Sequence, residues 1–66
     1  MVKLVFRQHQ WEVKAGMTIE AALKKIDLDP EAVLPTINDV LVTTDYIMKE
    51  GETIKLVAVV SGGDNG

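Results

Sequence analysis

Residues 54–60 read IKLVAVV, and this stretch decides the fold. As an extended strand it places Ile54 and Leu56 on one face and Val57 and Val59 on the other. A strand that is apolar on both faces is typical of the interior of a sheet. The last strand of the chain is therefore predicted to lie in the middle of its sheet.

The opening residues predict a hairpin. Residues 2–7 alternate, with Val2, Leu4 and Phe6 on one face, which indicates a strand. Residues 8–10 have no apolar pattern and predict a turn, after which alternation resumes over residues 11–14. The first two strands are therefore expected to pair with each other.

A helix is predicted to follow this hairpin. Thr18 is a suitable N-cap because its hydroxyl can accept a hydrogen bond from the first helical turn. Ile19, Ala22, Leu23 and Ile26 then recur at helical spacing and form one apolar stripe. That stripe is expected to lie on the apolar face of the hairpin.

The middle of the chain predicts two short strands. Residues 34–37 and 40–42 flank Asn38 and Asp39, a pair that tolerates the positive φ of a tight turn. Before them, residues 29–33 predict a short turn, because proline suits a first helical position. The expected architecture is an α+β roll: a sheet of four to five strands with one main helix on one face.

Composition limits the function. A chain of 66 residues is one small domain, and its net charge of −3 argues against binding nucleic acid directly. It has no cysteine and a single histidine, His9, so a zinc site is not expected. No carboxylate pair or activated serine suggests an enzyme, and the apolar runs are too short for a membrane helix. We expect a cytoplasmic protein that is not an enzyme.

The end of the chain carries the most informative motif. Residues 1–60 are expected to form the folded domain, and residues 61–66, SGGDNG, a flexible tail. Gly62 and Gly63 have no side chains, so an enzyme could thread the backbone through a narrow channel to reach a glycine carboxylate. The alternative is an ordinary terminus that happens to contain glycines.

Several short stretches together resemble the ThiS/MoaD family of ubiquitin-like sulfur carriers. The resemblance covers residues 2–63 and implies a β-grasp fold. The matching stretches are residues 3–6, residues 15–19, Leu23, residues 37–38, residues 50–52 and residues 59–63.

The resemblance implies a role for the tail. In that family a ubiquitin-activating-type enzyme uses ATP and magnesium to adenylate the terminal glycine, and a persulfide sulfur then leaves a thiocarboxylate. Carried onto this chain, Gly63 is the activated acyl carrier, and Ser61 and Gly62 thread the channel. The carrier itself binds no cofactor, and it serves a sulfur-accepting biosynthetic or tRNA-modifying enzyme. Related members are instead conjugated to lysines, and a β-grasp binding module with an inert tail is a further alternative.

The tail departs from the family pattern. Residues 64–66 follow Gly63, so its carbonyl is an amide and cannot be adenylated in that form. Some relatives are trimmed by a metallopeptidase, and we expect the same processing behind Gly63. Residues 43–45, Thr-Thr-Asp, stand where thiazole-pathway carriers often have Pro-Arg, which argues against assignment to that pathway.

A second expectation concerns the face of the sheet without the helix. Val5, Val57 and Val59 should point away from the helix and form an apolar patch for a partner. Basic side chains should border it, namely Lys3, Arg7 and Lys55. The alternative is that valine simply suits strands.

Overall fold

The computed structural model describes residues 1–59, which form five strands and one helix. In chain order the elements are β1 (Val2–Phe6), β2 (His9–Val13), α1 (Ile19–Lys25), β3 (Val33–Ile37), β4 (Val40–Leu41) and β5 (Thr53–Ala58). Within this part of the chain, no helix is long and apolar enough to cross a membrane.

The five strands form one mixed sheet in the order β2-β1-β5-β3-β4. β5 pairs in parallel with β1, where Leu4 lies opposite Ile54, and antiparallel with β3, where Pro35 lies opposite Leu56. The prediction that the last strand is central is therefore confirmed. The predicted end of this strand, Val60, lies outside the described residues.

The turn of the first hairpin differs from the prediction. Phe6 pairs with His9, so the loop is Arg7 and Gln8 alone, and His9 and Gln10 belong to β2. Arg7 makes this tight loop with a φ of 57°. The prediction of a turn over residues 8–10 is wrong because arginine is not a residue expected at positive φ.

The second hairpin forms around its predicted turn, but its second strand ends at Leu41, one residue before the predicted Val42. Asn38 and Asp39 join β3 to β4 with φ angles of 52° and 66°, as a type I′ turn requires. The turn predicted over residues 29–33 is shorter, since Val33 already belongs to β3. It is fastened by Asp29, whose side chain accepts the Glu31 N–H at 2.9 Å.

The helix begins at its predicted cap. The Thr18 side-chain oxygen accepts the Ala21 N–H at 3.2 Å. Ile19, Ala22 and Leu23 are fully buried, as the stripe requires. The fourth predicted residue, Ile26, is the C-cap and is only half-buried, since the helix ends at Lys25.

The core lies between α1 and one face of the sheet. Its buried members come from the helix, from four strands and from one loop: Val2, Leu4, Val13, Ile19, Ala22, Leu23, Val33, Met48, Ile54 and Leu56. Phe6 and Trp11 pack against this cluster while half-exposed. A five-stranded mixed sheet with a helix on one face is the expected α+β roll and agrees with the β-grasp fold.

The loop between β4 and β5 closes the core beside the helix entry. The Met48 N–H donates to the Met17 carbonyl oxygen at 3.0 Å, and the Met48 carbonyl oxygen accepts the Gly16 N–H at 2.9 Å. The Ile19 N–H donates to the Tyr46 carbonyl oxygen at 3.0 Å. Met48 is thereby 1% exposed, a burial that its local sequence does not predict.

Candidate partner-binding face and tail

Strand alternation divides the central strands between the core and an open face. Ile54 and Leu56 of β5 are buried under the helix, so the intervening residues Lys55 and Val57 point away from it. Val57 retains 46% of its surface exposed. We call the side of the sheet opposite the helix the open face.

An apolar pair forms the centre of the exposed apolar surface on the open face. Val57 lies directly opposite Leu34 of β3, and the two are 46% and 43% exposed. Leu34 was not among the residues predicted for a partner surface. Alternation along β3 directs Leu34 away from its buried neighbours Val33 and Pro35, but its position beside Val57 follows only from the pairing of β3 with β5.

Leu41 and Thr36 lie beside this apolar pair, toward the edge strand β4. Leu41 of β4 lies opposite Thr36 and is 63% exposed. Thr36 itself is buried, and its hydroxyl donates to the Lys55 carbonyl oxygen at 2.9 Å. The Thr36 hydroxyl therefore already has a hydrogen-bond acceptor within the sheet, and covering it with a partner would not leave it unpaired.

The other predicted patch residues lie beside this pair. Val59 follows β5, is 39% exposed, and donates its N–H to the Ala32 carbonyl oxygen at 3.0 Å. Val5 is only half-buried and lies opposite Lys55, so it is diagonal to Val57 across the sheet. The structure therefore places Val57 and Val59 beside Leu34, with Val5 diagonal to Val57 and opposite Lys55.

Two of the three basic side chains expected at the border, Lys3 and Lys55, lie on the open face. The Arg7 guanidinium instead lies over Phe6, which packs against the core on the other side. Lys3 and Lys55 are exposed on the open face, and Arg7 is exposed at the hairpin turn. Glu12, on the edge strand β2, lies opposite Lys3. The border is therefore positive on the central strands, and a carboxylate appears only at the outer edge.

A separate polar cluster holds the loop before β5. The Tyr46 hydroxyl donates to Glu52 Oε2 at 2.8 Å, and the Lys49 N–H donates to Glu52 Oε1 at 2.8 Å. The Lys49 N–H, and next the Tyr46 hydroxyl, lower the pKa of Glu52. The same hydrogen bond to Glu52 raises the pKa of Tyr46. Both shifts favour the forms that make these hydrogen bonds, namely the ionised Glu52 carboxylate and the neutral Tyr46 hydroxyl.

Residues 1–59 contain acidic side chains, a histidine and a surface hollow. In that range, no three His, Asp or Glu side chains come together as a metal site needs. An open surface hollow lies beside Glu20, Lys24 and Asp29. Glu20 and Lys24 already form an ion pair at 3.4 Å along the helix.

The tail residues cannot be placed in the same way. Ser61, Gly62 and Gly63, together with residues 64–66, lie outside the described residues. Their predicted roles stay predictions. The structure does establish the strand that leads to them, because β5 ends at Ala58 in the centre of the sheet.

Comparison with known proteins identifies the family. No curated protein matches the chain. The sequence model described as the ThiS family matches residues 2–63, which includes both glycines of the Gly-Gly pair and stops before residues 64–66. Since that match spans nearly all of the 66 residues, the chain belongs to the ThiS family of small ubiquitin-like sulfur carriers.

Proposed function

We propose that Gly63 becomes the reactive C-terminus of this sulfur carrier. The observation that carries the proposal is the extent of the family match, which runs through Gly63 and excludes residues 64–66. A peptide carbonyl at Gly63 is not an acceptor for adenylation, whereas a free carboxylate is. A processing metallopeptidase therefore removes residues 64–66 before activation.

The chemistry takes place on the carrier's backbone and is supplied by an adenylating enzyme in the cytoplasm. The Gly63 carboxylate attacks the α-phosphate of ATP, held with magnesium by that enzyme, and pyrophosphate leaves. A persulfide sulfur then attacks the acyl carbon and displaces AMP. A second thiol then attacks the sulfur that is not bonded to the acyl carbon. A disulfide forms between the two thiols, and the thiocarboxylate leaves on Gly63.

The tail and the open face have separate roles in this proposal. Ser61 and Gly62 pass through the enzyme's channel, where side chains would obstruct the backbone. The enzyme docks on the open face over Val5, Val57 and Val59, with Leu34 added to the surface. What supports this docking is the exposure of Leu34, Val57 and Val59 on and beside the central strand, which leads to the tail.

The activated intermediate has two fates. In the first, a sulfur-accepting biosynthetic or tRNA-modifying enzyme takes sulfur from the thiocarboxylate. In the second, a lysine amine attacks the acyl adenylate and an isopeptide bond joins the carrier to another protein. We favour the first because the family is one of sulfur carriers.

The decisive experiment compares the full chain with a chain that ends at Gly63. Each is incubated with the adenylating enzyme from the same genome and ATP–Mg, and pyrophosphate exchange is measured. We expect exchange with the shorter chain alone. Equal exchange with the full chain would contradict the trimming step, and no exchange with either would support a binding module with an inert tail.

Mass spectrometry of protein recovered from its own cells separates the two fates. Replacement of oxygen by sulfur on the trimmed chain adds about 16 Da, whereas conjugation yields species of much higher mass.

A matched control for the pyrophosphate-exchange experiment is the chain that ends at Gly63 with Gly62→Val, which keeps the carboxylate but adds a side chain in the channel. This control should bind the enzyme and lose pyrophosphate exchange.

A further inference from the structure

The tip of the first hairpin lies at the end of the sheet where the tail begins. β1 and β5 run in the same direction, with Phe6 opposite Leu56. The turn at Arg7 therefore reaches the same end of the sheet as Ala58, the last residue of β5. A protein that takes up the chain beyond β5 approaches this tip as well.

Two aromatic contacts give the tip an unusual surface. The Arg7 guanidinium lies 5.2 Å from the centroid of the Phe6 ring. The rings of His9 and Trp11 stack with centroids 5.8 Å apart and an interplanar angle of 26°. Phe6 and Trp11 are half-buried, while Arg7 and His9 are exposed. Aromatic residues and arginine are the types enriched at the centres of protein interfaces.

The backbone does not account for an arginine at this turn. Arg7 has a φ of 57°, a conformation that glycine or asparagine adopts at lower cost. Non-glycine residues held at positive φ occur preferentially at functional sites. The backbone conformation at residue 7 therefore does not favour arginine, and what arginine adds at this position is its exposed guanidinium.

The charge around the tip opposes that of the whole chain. The chain has a net charge of −3, yet residues 1–11 contain no carboxylate side chain. The single charged side chain from residue 53 to residue 59 is Lys55. Asp29 and Glu31 lie at the same end of the sheet but on the β3 side, because Ala32 accepts the Val59 N–H. The positive charge is thus confined to the hairpin side of this end, where it attracts an acidic surface.

We propose that this tip, formed by Phe6, Arg7, His9 and Trp11, is a second docking surface for the adenylating enzyme. Its occupant is an acidic rim, rich in Asp and Glu, around the entrance of the channel that takes the tail. Arginine pairs with carboxylates through two parallel hydrogen bonds, so it fixes orientation as well as proximity. Phe6, His9 and Trp11 lie on the helix side of the sheet. Contact at the tip and at the open face therefore holds this end of the sheet from both sides and directs the tail into the channel. This inference rests on the proposed function.

The first measurement reports contact at the tip directly. Trp11 is the only tryptophan in the chain, so incorporation of 5-fluorotryptophan gives one ¹⁹F NMR signal at the tip. Addition of the unlabelled adenylating enzyme to the labelled chain ending at Gly63 should shift and broaden this signal. A signal that stays unchanged at saturation would overturn the proposal.

The second measurement tests whether the positive charge of Arg7 contributes to binding of the adenylating enzyme. Arg7→Asn removes the guanidinium but keeps a residue that tolerates the positive φ, so the hairpin should persist. The matched control is Lys14→Asn, the same loss of one exposed charge at the other end of the hairpin. Calorimetric titration should show about tenfold weaker binding for Arg7→Asn, with a smaller salt dependence. Lys14→Asn should bind within about twofold of the parent chain.

The outcomes separate this inference from the proposed function. If the chain ending at Gly63 supports no pyrophosphate exchange, the proposed function fails and the inference fails with it. If exchange occurs and the two charge variants bind equally, the inference alone fails. A ¹⁹F shift with a single-stranded RNA oligonucleotide, and none with the enzyme, would assign the tip to another class of partner and overturn it.

Discussion

The two faces of the central strands carry similar apolar side chains, but only one face is covered. Leu4 and Ile54 lie under the helix and are 0% exposed. Leu34 and Val57, on the open face, are 43% and 46% exposed. Burial against the helix makes the first pair responsible for stability, whereas the second pair stabilises the domain little and remains available to a partner.

The sharpest test of this contrast is one substitution made on both faces. Leu4→Ala should lower the free energy of unfolding by about 2–5 kcal/mol, because it leaves a cavity in the core. A domain of this size has roughly 3–5 kcal/mol in total, so the variant should be largely unfolded. Urea denaturation followed by circular dichroism measures the change.

Leu34→Ala is the matched control for that experiment. It removes the same atoms from a half-exposed site on β3, so the loss should stay below about 1 kcal/mol. A loss as large as that of Leu4→Ala would mean that the open face is covered in solution, for example by a second copy of the chain.

The next effect concerns binding by the open face. Val57→Glu should weaken the complex with the adenylating enzyme at least about tenfold, since an unpaired carboxylate would be buried at the interface. The free energy of unfolding should change by no more than about 1 kcal/mol. Titration calorimetry and urea denaturation measure the two quantities separately.

A second valine provides the control for Val57→Glu. Val40 is 63% exposed on β4, and it pairs with Ile37, which places it on the opposite side of the sheet from Leu41. Val40→Glu adds the same charge away from the open face and should leave affinity nearly unchanged. Equal weakening by both variants would count against docking on the open face.

The helix that covers the core depends on its cap. Thr18→Ala removes the acceptor of the Ala21 N–H and should cost about 1 kcal/mol. Thr18→Ser keeps a hydroxyl at the same place and should retain most of the stability. Thermal unfolding of both variants measures this difference, and equal losses would show that the hydroxyl is not what matters.

The smallest effect concerns Glu52 in the loop between β4 and β5, which closes the core beside the helix. The lowered pKa of Glu52 means that its ionised form is favoured in the folded state. Its contribution is therefore present above the ordinary value of 4.5 and is lost as the pH falls through the lower folded value. Glu52→Gln should lower the melting temperature slightly at neutral pH, and the difference should vanish once the pH lies well below the lowered pKa of Glu52 in the folded state.

Tyr46 gives the opposite dependence and serves as the control. Its raised pKa favours the neutral hydroxyl in the folded state, so its contribution is present below the ordinary value of 10.0 and is lost as the pH rises through the folded value. Tyr46→Phe should therefore remove a dependence at high pH, not at low pH. A parallel pH series of melting temperatures checks both variants.

Much of the fold could be predicted because its signals are local. The stripe at Ile19, Ala22 and Leu23 follows from helical spacing, and the cap at Thr18 follows from its hydroxyl. The central place of β5 follows from its apolar residues on both faces. Each of these features depends on neighbours a few positions away in sequence.

The features that were not predicted depend on distant neighbours. Met48 is buried because its backbone bonds to Gly16 and Met17 across the fold, and nothing in its own loop indicates this. The turn at Arg7 was misplaced because the pairing of Phe6 with His9 overrides the preference of arginine for negative φ. For the candidate site, alternation predicted the direction of Val57, but its neighbour Leu34 follows only from the pairing of β5 with β3.

The position of the last strand also determines when the domain can form. β5 lies between β1 and β3, so without it the two hairpins share no hydrogen-bonded neighbour in the sheet. Long-range pairing of this kind forms late, because the chain must first bring its ends together. A nascent chain therefore acquires its native sheet only once the segment leading to the Gly-Gly pair has been synthesised, and prematurely terminated fragments present no assembled docking surface to compete for the enzyme.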